Sequence, residues 1–241
     1  MKDLIYSYPL LVAIYDYFEG DREDLTHYLK IAKELKAESV LDVGCGTGSF
    51  AQLLTQEGFQ VTALDPAEAS LDFAKDKVKS KKISWILGDT NRLPNIKVDL
   101  ATMTGNVAQV FLTDESWEKN LENIRRALNP KGHLVFETRN PERKAWLDWT
   151  KEKTYKQADL PELGEIETWC EVTNVSGDLV SFRWTYVFES DGEVITSDST
   201  LRFRGKEEIT DSLQKCGYKV SDVREAPDRP GMEHVFIASL A

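Results

Sequence analysis

Val40-Leu41-Asp42-Val43-Gly44-Cys45-Gly46-Thr47-Gly48-Ser49 is an apolar run that breaks into alternating glycines. Such a run reads as a buried strand turning into a helix over a ligand, with glycines letting the backbone come close. A dinucleotide fingerprint, G-x-G-x-x-G, needs its last glycine where Ser49 stands. Asp42 also places an acid two residues before the first glycine. The next strand-like run, residues 59–65, ends on Asp65, from which a carboxylate can reach the hydroxyls of an adenosine ribose.

Outward from this loop, helix-like and strand-like segments alternate. Leu25, Tyr28, Leu29, Ala32 and Leu35 keep helical spacing, as do Phe50, Leu53 and Leu54, and later Leu71, Phe73, Ala74 and Val78. Residues 82–89 and 98–105 read as a third and a fourth strand. Trp117, Leu121, Ile124 and Leu128 mark a helix that stops at Asn129-Pro130-Lys131-Gly132, and residues 133–140 read as a fifth strand. The alternation breaks after residue 150. Residues 165–175, 179–189 and 193–203 then form long strand-like runs joined at Ser176-Gly177-Asp178 and Asp191-Gly192, an antiparallel meander.

Phe182, Trp184, Tyr186 and Phe188 share one face of the middle run, suited to core or dimer packing. A helix with Ile209, Leu213 and Cys216 and two closing strands, 218–225 and 234–241, complete the chain. The expected fold is α/β: a doubly wound, Rossmann-like, mostly parallel seven-stranded sheet with an inserted antiparallel β-meander. The expected divisions are a lid segment over 1–23, a core over 24–150 and 205–241, and an inserted cover over 151–204.

The 241 residues are 41% hydrophobic and 29% charged, with a formal net charge of −11. That balance suits a globular protein and argues against a nucleic-acid partner, which wants a basic face. The basic stretch at residues 77–82 reads as a solvated helix end. The apolar run Leu10 to Ile14 is too short to span a membrane. Cys45, Cys170 and Cys216 are scattered and, with His27, His133 and His234, show no metal spacing. They read as reduced thiols of a cytoplasmic protein with no metal site.

The arrangement D-x-G-x-G-x-G at Asp42, Gly44, Gly46 and Gly48 resembles the first motif of class I S-adenosylmethionine-dependent methyltransferases. Asp65, Gly88-Asp89-Thr90, the run Met103 to Val107 and the run Leu128 to Phe136 resemble the family's later motifs in order. The resemblance covers about residues 24–140 and the last two strands. It departs at Ala67 and Ser70, where the family often has serine and methionine. It implies S-adenosylmethionine as cofactor and S-adenosylhomocysteine as product. By the same resemblance, Asp42, Gly44, Cys45, Gly46 and Gly48 hold the methionine end. Asp65 and Pro66 hold the ribose, Asp89 and Thr90 lie by the adenine, and Thr104 lies near the transferred methyl. A nicotinamide-dependent oxidoreductase and a cofactor-binding module without catalysis are the alternatives.

Residues 13–25 resemble the N-terminal lid of small-molecule members of the family, with Tyr15, Tyr17 and Arg22 placed to close over cofactor and acceptor. The meander resembles the cover over the acceptor site in glycine and amino-sugar N-methyltransferases. Residues 103–111, 136–146 and 226–238 look like those of bacterial methyltransferase-like proteins of undefined substrate. The expected acceptor is a small polar molecule, and the working unit a monomer or homodimer.

Methyl transfer from a sulfonium is an in-line displacement that needs alignment more than acid–base help. No obvious base stands in the sequence, which favours an amine. Asn106, just past the fourth strand, is placed to orient the acceptor. Glu137 and Arg139 fall on one side of the fifth strand, so either they pair or Arg139 holds an acidic acceptor. His133 lies at the wrong edge of the sheet, whereas His234 begins the last strand.

Overall fold

A computed structural model describes residues 3–241. Helices α1 (Leu4–Ser7), α2 (Pro9–Glu19) and α3 (Asp24–Glu34) precede strand β1 (Ser39–Val43). There follow α4 (Ser49–Gln56), β2 (Gln60–Asp65), α5 (Glu68–Lys77), β3 (Ile83–Leu87), β4 (Val98–Met103), α6 (Asp114–Ala127) and β5 (Leu128–Arg139). The short α7 (Lys151–Thr154) leads into β6 (Lys156–Leu160), β7 (Gly164–Ser176), β8 (Leu179–Phe188) and β9 (Glu193–Arg202). The chain closes with α8 (Lys206–Lys215), β10 (Tyr218–Glu225) and β11 (Glu233–Leu240).

The main sheet has seven strands in the order β10-β11-β5-β4-β1-β2-β3, as the alternation of the sequence implied. Strands β1 to β5 run parallel, while β11 is antiparallel to both β5 and β10. The order reverses at β1, which lies between β2 and β4, and a crevice opens there beyond the carboxyl ends of the strands. Alternation along each strand fills both faces of the sheet. Leu41, Met103, Leu134 and Phe136 pack with Trp117 and Leu121 of α6. Val40, Leu100, Val135 and Val235 pack with Tyr28 of α3 and Leu54 of α4 on the other side. Each such side chain contributes roughly 1.5–3 kcal/mol by burial. Helix α6 is fixed by a capping box between Thr113 and Ser116.

The inserted sheet has four strands, β6-β7-β8-β9, against the three that the sequence pattern shows. The extra strand, β6, reads Lys-Gln-Ala-Asp-Leu, too short and too polar to display an alternating apolar face. Strand β5 also begins at Leu128, so the expected turn at residues 129–132 lies inside it. On the aromatic face of β8, Trp184, Tyr186 and Phe188 cover Leu11 and Ile14 of α2. Phe182 meets the ring of Trp149 at 4.8 Å. This face therefore belongs to the core of its own chain. Cys45, Cys170 and Cys216 are buried and unpaired. No helix among the described residues is long and apolar enough to cross a membrane.

Candidate functional site

The glycine loop sits on the ends of β1 and β2. The N–H groups of Gly44 and Cys45 donate to the Leu64 carbonyl at 2.8 and 3.1 Å. Gly46 N–H donates to Asp65 Oδ2 at 2.8 Å, and Ala67 N–H donates to Asp65 Oδ1 at 2.7 Å. Asp65 thus braces the loop from the end of β2. Gly44 and Gly46, both at positive φ, serve different ends. A Cβ on Gly44 would lie 2.5 Å from Cγ2 of Val107, so its bareness admits the turn that follows β4. A Cβ on Gly46 would meet nothing within 4 Å, and the same holds at Gly105 beyond β4. These two glycines border an open cradle at the carboxyl edge of the sheet.

Buried acids lie under that cradle. Thr102 Oγ1 donates to Asp42 Oδ1 at 3.3 Å, while Asp42 Oδ2 is buried with no partner among the described residues. Burial raises the Asp42 carboxyl to about 7, with the Asp65 charge adding to the effect. Glu137, buried at the end of β5, accepts the Asn106 backbone N–H on Oε1 at 2.5 Å. Burial, followed by the neighbouring Glu233 charge, pushes it up to about 7. Asn106 holds a left-handed backbone (φ 63°) and donates from Nδ2 to Glu233 Oε1 at 3.1 Å. Its Oδ1 is buried without a partner among the described residues. Arg229 donates to the same Glu233 oxygen at 3.0 Å.

Glu137 and Arg139 do not pair, although they share a face of β5. Glu137 turns to the Asn106 backbone, and Arg139 Nη1 donates instead to Gln109 Oε1 at 3.1 Å. The Arg139 guanidinium lies 5.4 Å from the centre of the Trp149 ring. Glu233 and Gln109 carry this network, and sequence reading did not find them. Glu233 opens β11 opposite Arg139, so its neighbour His234 faces Thr138 and lies edge-on to Phe236. Gln109 lies in the run after β4 that already drew attention through Asn106.

The remaining residues expected at the site divide. Asp89 caps the turn after β3, accepting the Asn91 N–H at 2.9 Å, and is exposed. The Thr90 hydroxyl turns inward and donates to Asn120 at 3.0 Å, so its side chain serves α6. Cys45 and Thr104 are buried at the ends of β1 and β4. Burial pushes the Cys45 thiol well above its ordinary value, so it stays protonated. Tyr17 is not brought to the site: it is 62% exposed on the outer face of α2. The residue of α2 that touches the loop is Asp16. Thr47 Oγ1 donates to Asp16 Oδ1 at 2.6 Å, and Lys77 Nζ donates to Oδ2 at 2.6 Å. Arg22 is engaged with Asp24 in a two-pronged pair at 2.9 and 2.8 Å. A cleft of about 480 Å³, lined by Asp16, Arg22, Ser49, Gln52 and Lys77 among others, runs beside this latch on the outer side of α4.

A family model described as a methyltransferase domain matches residues 40–132, which contain the glycine loop, Asp65, Asp89 and Asn106. Residues 40–132 thus carry a methyltransferase domain, in line with the class I S-adenosylmethionine-dependent family that the motifs resemble. It is 26% identical over 217 residues to a demethylmenaquinone methyltransferase of Thermotoga maritima, covering 89% of this chain and 84% of that one. It is 32% identical over 120 residues to a cypemycin N-terminal methyltransferase of a Streptomyces species, 48% of each chain. It spans 60% of a ubiquinone biosynthesis O-methyltransferase of Rickettsia bellii. The fold is similar to that of SAM-bound CalS10, an amino pentose methyltransferase of Micromonospora echinaspora. The TM-score is 0.74 at 20% identity, over 96% and 97% of the two chains. It is also similar to a methyltransferase of Clostridium acetobutylicum, with TM-score 0.76 at 18% identity over 97% and 99%.

The cofactor is therefore S-adenosylmethionine, and the dinucleotide alternative falls. The residues of this methyltransferase fit that molecule. The bare sides of Gly46 and Gly105 leave room against the backbone. The buried, unpartnered Asp42 Oδ2 beneath them suits an ammonium group rather than a pyrophosphate.

Proposed function

We propose that the protein transfers a methyl group from S-adenosylmethionine to a small polar acceptor, with nitrogen as the favoured atom. The observation that supports this is the clamping of α2. Asp16 ties it to the glycine loop and α5, the aromatic face of β8 covers its apolar side, and the preceding α1 is held by Ser70 Oγ, which donates to the Tyr6 carbonyl at 2.7 Å. A site roofed in this way admits small molecules. In this reading residues 1–23 are the lid, 151–204 the cover, and 24–150 with 205–241 the core. The chain's own α2 fills the aromatic face, so the site is complete within one chain. The three unpaired thiols agree with work in the cytoplasm.

S-adenosylmethionine supplies a methyl already activated on a sulfonium. The chain supplies alignment and dryness, an effect worth up to ~7–11 kcal/mol in favourable cases. Asp42 takes the ammonium of the methionine end, Asp65 with Pro66 the ribose, and Asp89 the adenine edge. Gly44 and Gly48 shape the loop, Gly46 leaves its backbone open, and Cys45 and Thr104 wall the methyl. The acceptor nitrogen gives its lone pair to the methyl carbon as the carbon–sulfur bond breaks toward sulfur, and the nitrogen then loses its proton to water. Asn106 presents Oδ1 from a rigid left-handed turn and so orients the N–H of the acceptor. Of the buried acids nearby, Glu137 Oε1 is held by the Asn106 N–H and Glu233 Oε1 by Asn106 and Arg229. Among the relatives, the cypemycin enzyme and the amino pentose enzyme carry names that point to amines, and the Rickettsia enzyme to oxygen.

Calorimetric titration with S-adenosylhomocysteine, followed by an assay of its release from S-adenosylmethionine across small amines and alcohols, tests the reading. Binding with turnover of an amine is the expected result. Binding without turnover of any acceptor would leave a cofactor-binding module, and turnover of alcohols alone would move the favoured atom to oxygen.

A further inference from the structure

Arg139 ends β5 half-buried, with five N–H donors to satisfy. Among the described residues its guanidinium donates only to Gln109 Oε1, 3.1 Å from Nη1, and has no carboxylate within salt-bridge distance. The acids near it are engaged elsewhere: Glu233 receives Arg229 and Asn106, and Glu137 receives the Asn106 N–H. One face of the guanidinium is covered by the Trp149 ring. A cation left this way inside a protein is costly unless something arrives to meet it.

The surroundings show where such a group would enter. Tyr6 lies near Arg139, and 42% of its surface is accessible. Tyr15, partly accessible, stands with its ring centre 5.8 Å from that of Tyr6. Burial pushes the Tyr6 phenol up to about 12 and that of Tyr15 well above its usual value, so both keep their protons. The guanidinium fork, with the Trp149 ring against it, thus lies near the Tyr6 phenol, which accepts the Tyr15 hydroxyl and keeps its own O–H to donate.

From this geometry we propose that the methyl acceptor carries a carboxylate, which Arg139 grips with two parallel N–H bonds while Tyr6 donates a third. The proposal rests on the methyltransferase reading above and narrows its acceptor to a small acid. A planar carboxylate matches the fork and lies against aromatic walls. A dianionic phosphate is disfavoured by Glu137, Glu233 and Glu19 nearby.

The test is calorimetry on the protein loaded with S-adenosylhomocysteine. The probes are glycine, β-alanine and benzoate, each beside its amide, with inorganic phosphate as the competing anion. At least one carboxylate should bind roughly tenfold or more better than its amide. Arg139→Met should weaken that carboxylate roughly 30-fold or more while keeping the affinity for S-adenosylhomocysteine. Arg139→Lys, which retains charge without the fork, should fall between the two. The proposal is overturned if no carboxylate binds, if amides bind equally, if phosphate binds best, or if Arg139→Met binds carboxylates as the native protein does. Failure of the native protein to bind S-adenosylhomocysteine is a separate result that removes the methyltransferase reading itself.

Discussion

Thr47 of the glycine loop donates its hydroxyl to Asp16 Oδ1 at 2.6 Å, while Lys77 of α5 donates to the other oxygen at the same distance. A single carboxylate of α2 is therefore tied to the glycine loop and to the helix after β2. The two charged side chains are partly accessible, so the ion pair is screened. The hydrogen bond and the pair together are worth about 1–2 kcal/mol. Asp16→Ala should loosen the lid by that amount and raise the dissociation rate of S-adenosylhomocysteine about tenfold, as read by stopped-flow fluorescence. Equal dissociation rates would mean that the latch does not hold the lid over the cofactor.

Asp65 has a structural duty as well as its proposed binding one. It accepts the N–H groups of Gly46 and Ala67, and losing the carboxylate strands two backbone donors at a cost of about 1–3 kcal/mol each. Asp65→Ala should therefore lower the melting temperature and weaken S-adenosylhomocysteine roughly 100-fold or more. Asp65→Asn, which keeps one acceptor oxygen, should recover much of the stability but little of the affinity. If Asp65→Asn bound the cofactor product as tightly as the native protein, the ribose assignment would fail.

The seven-stranded sheet was legible because its signals are local. Apolar runs and helical spacing give the elements, and the glycines at 44, 46 and 48 mark the turn between β1 and α4. Strand β6 was not legible because Lys156, Gln157 and Asp159 hide its alternation. In the site, Asp42 stands two residues before the loop, and Asp65 closes the next strand-like run. Glu233 and Asp16 meet the site only through the fold, at Asn106 and Thr47 respectively. No spacing rule links positions so far apart. The pairing suggested for Glu137 and Arg139 failed for a related reason. Sharing a face says two side chains lie on one side, but Gln109 and the Asn106 N–H competed for them and won.

Asp42 and Glu137 make stability depend on pH in a definite direction. Burial is the first cause in both, raising Asp42 from 3.8 and Glu137 from 4.5 to about 7. Between roughly pH 4 and 7 the folded protein keeps protons that the unfolded chain has released, so stability falls as pH rises through that window. Each group accounts for on the order of 3 kcal/mol across it. Glu137→Gln keeps an acceptor for the Asn106 N–H and should flatten the decline, gaining on the native protein above pH 7. Denaturant unfolding at pH 5, 6, 7 and 8 reads the slopes. Parallel slopes would show that Glu137 is not held protonated in the fold.

Gly44 and Gly46 separate folding from binding within one loop. Both sit at positive φ, so a side chain costs each of them roughly 1 kcal/mol in backbone strain. At Gly44 the added carbon would also press on Val107 at 2.5 Å, and crowding of this kind costs a further ~1–3 kcal/mol. At Gly46 it would enter open space, which in the proposed complex is filled by the methionine end of the cofactor. Gly44→Ala should therefore lower the melting temperature by about 4–16 °C, at roughly 2–4 °C per kcal/mol for a chain of this size. Gly46→Ala should lower it by only about 2–4 °C. Its larger effect should be on S-adenosylhomocysteine, weakened at least about tenfold, because even one methyl group keeps the ligand from the backbone. Thermal unfolding with and without S-adenosylhomocysteine reads both effects on the same samples. A Gly46→Ala protein that is stabilised by the ligand as strongly as the native one would mean that the open side of Gly46 does not face the cofactor.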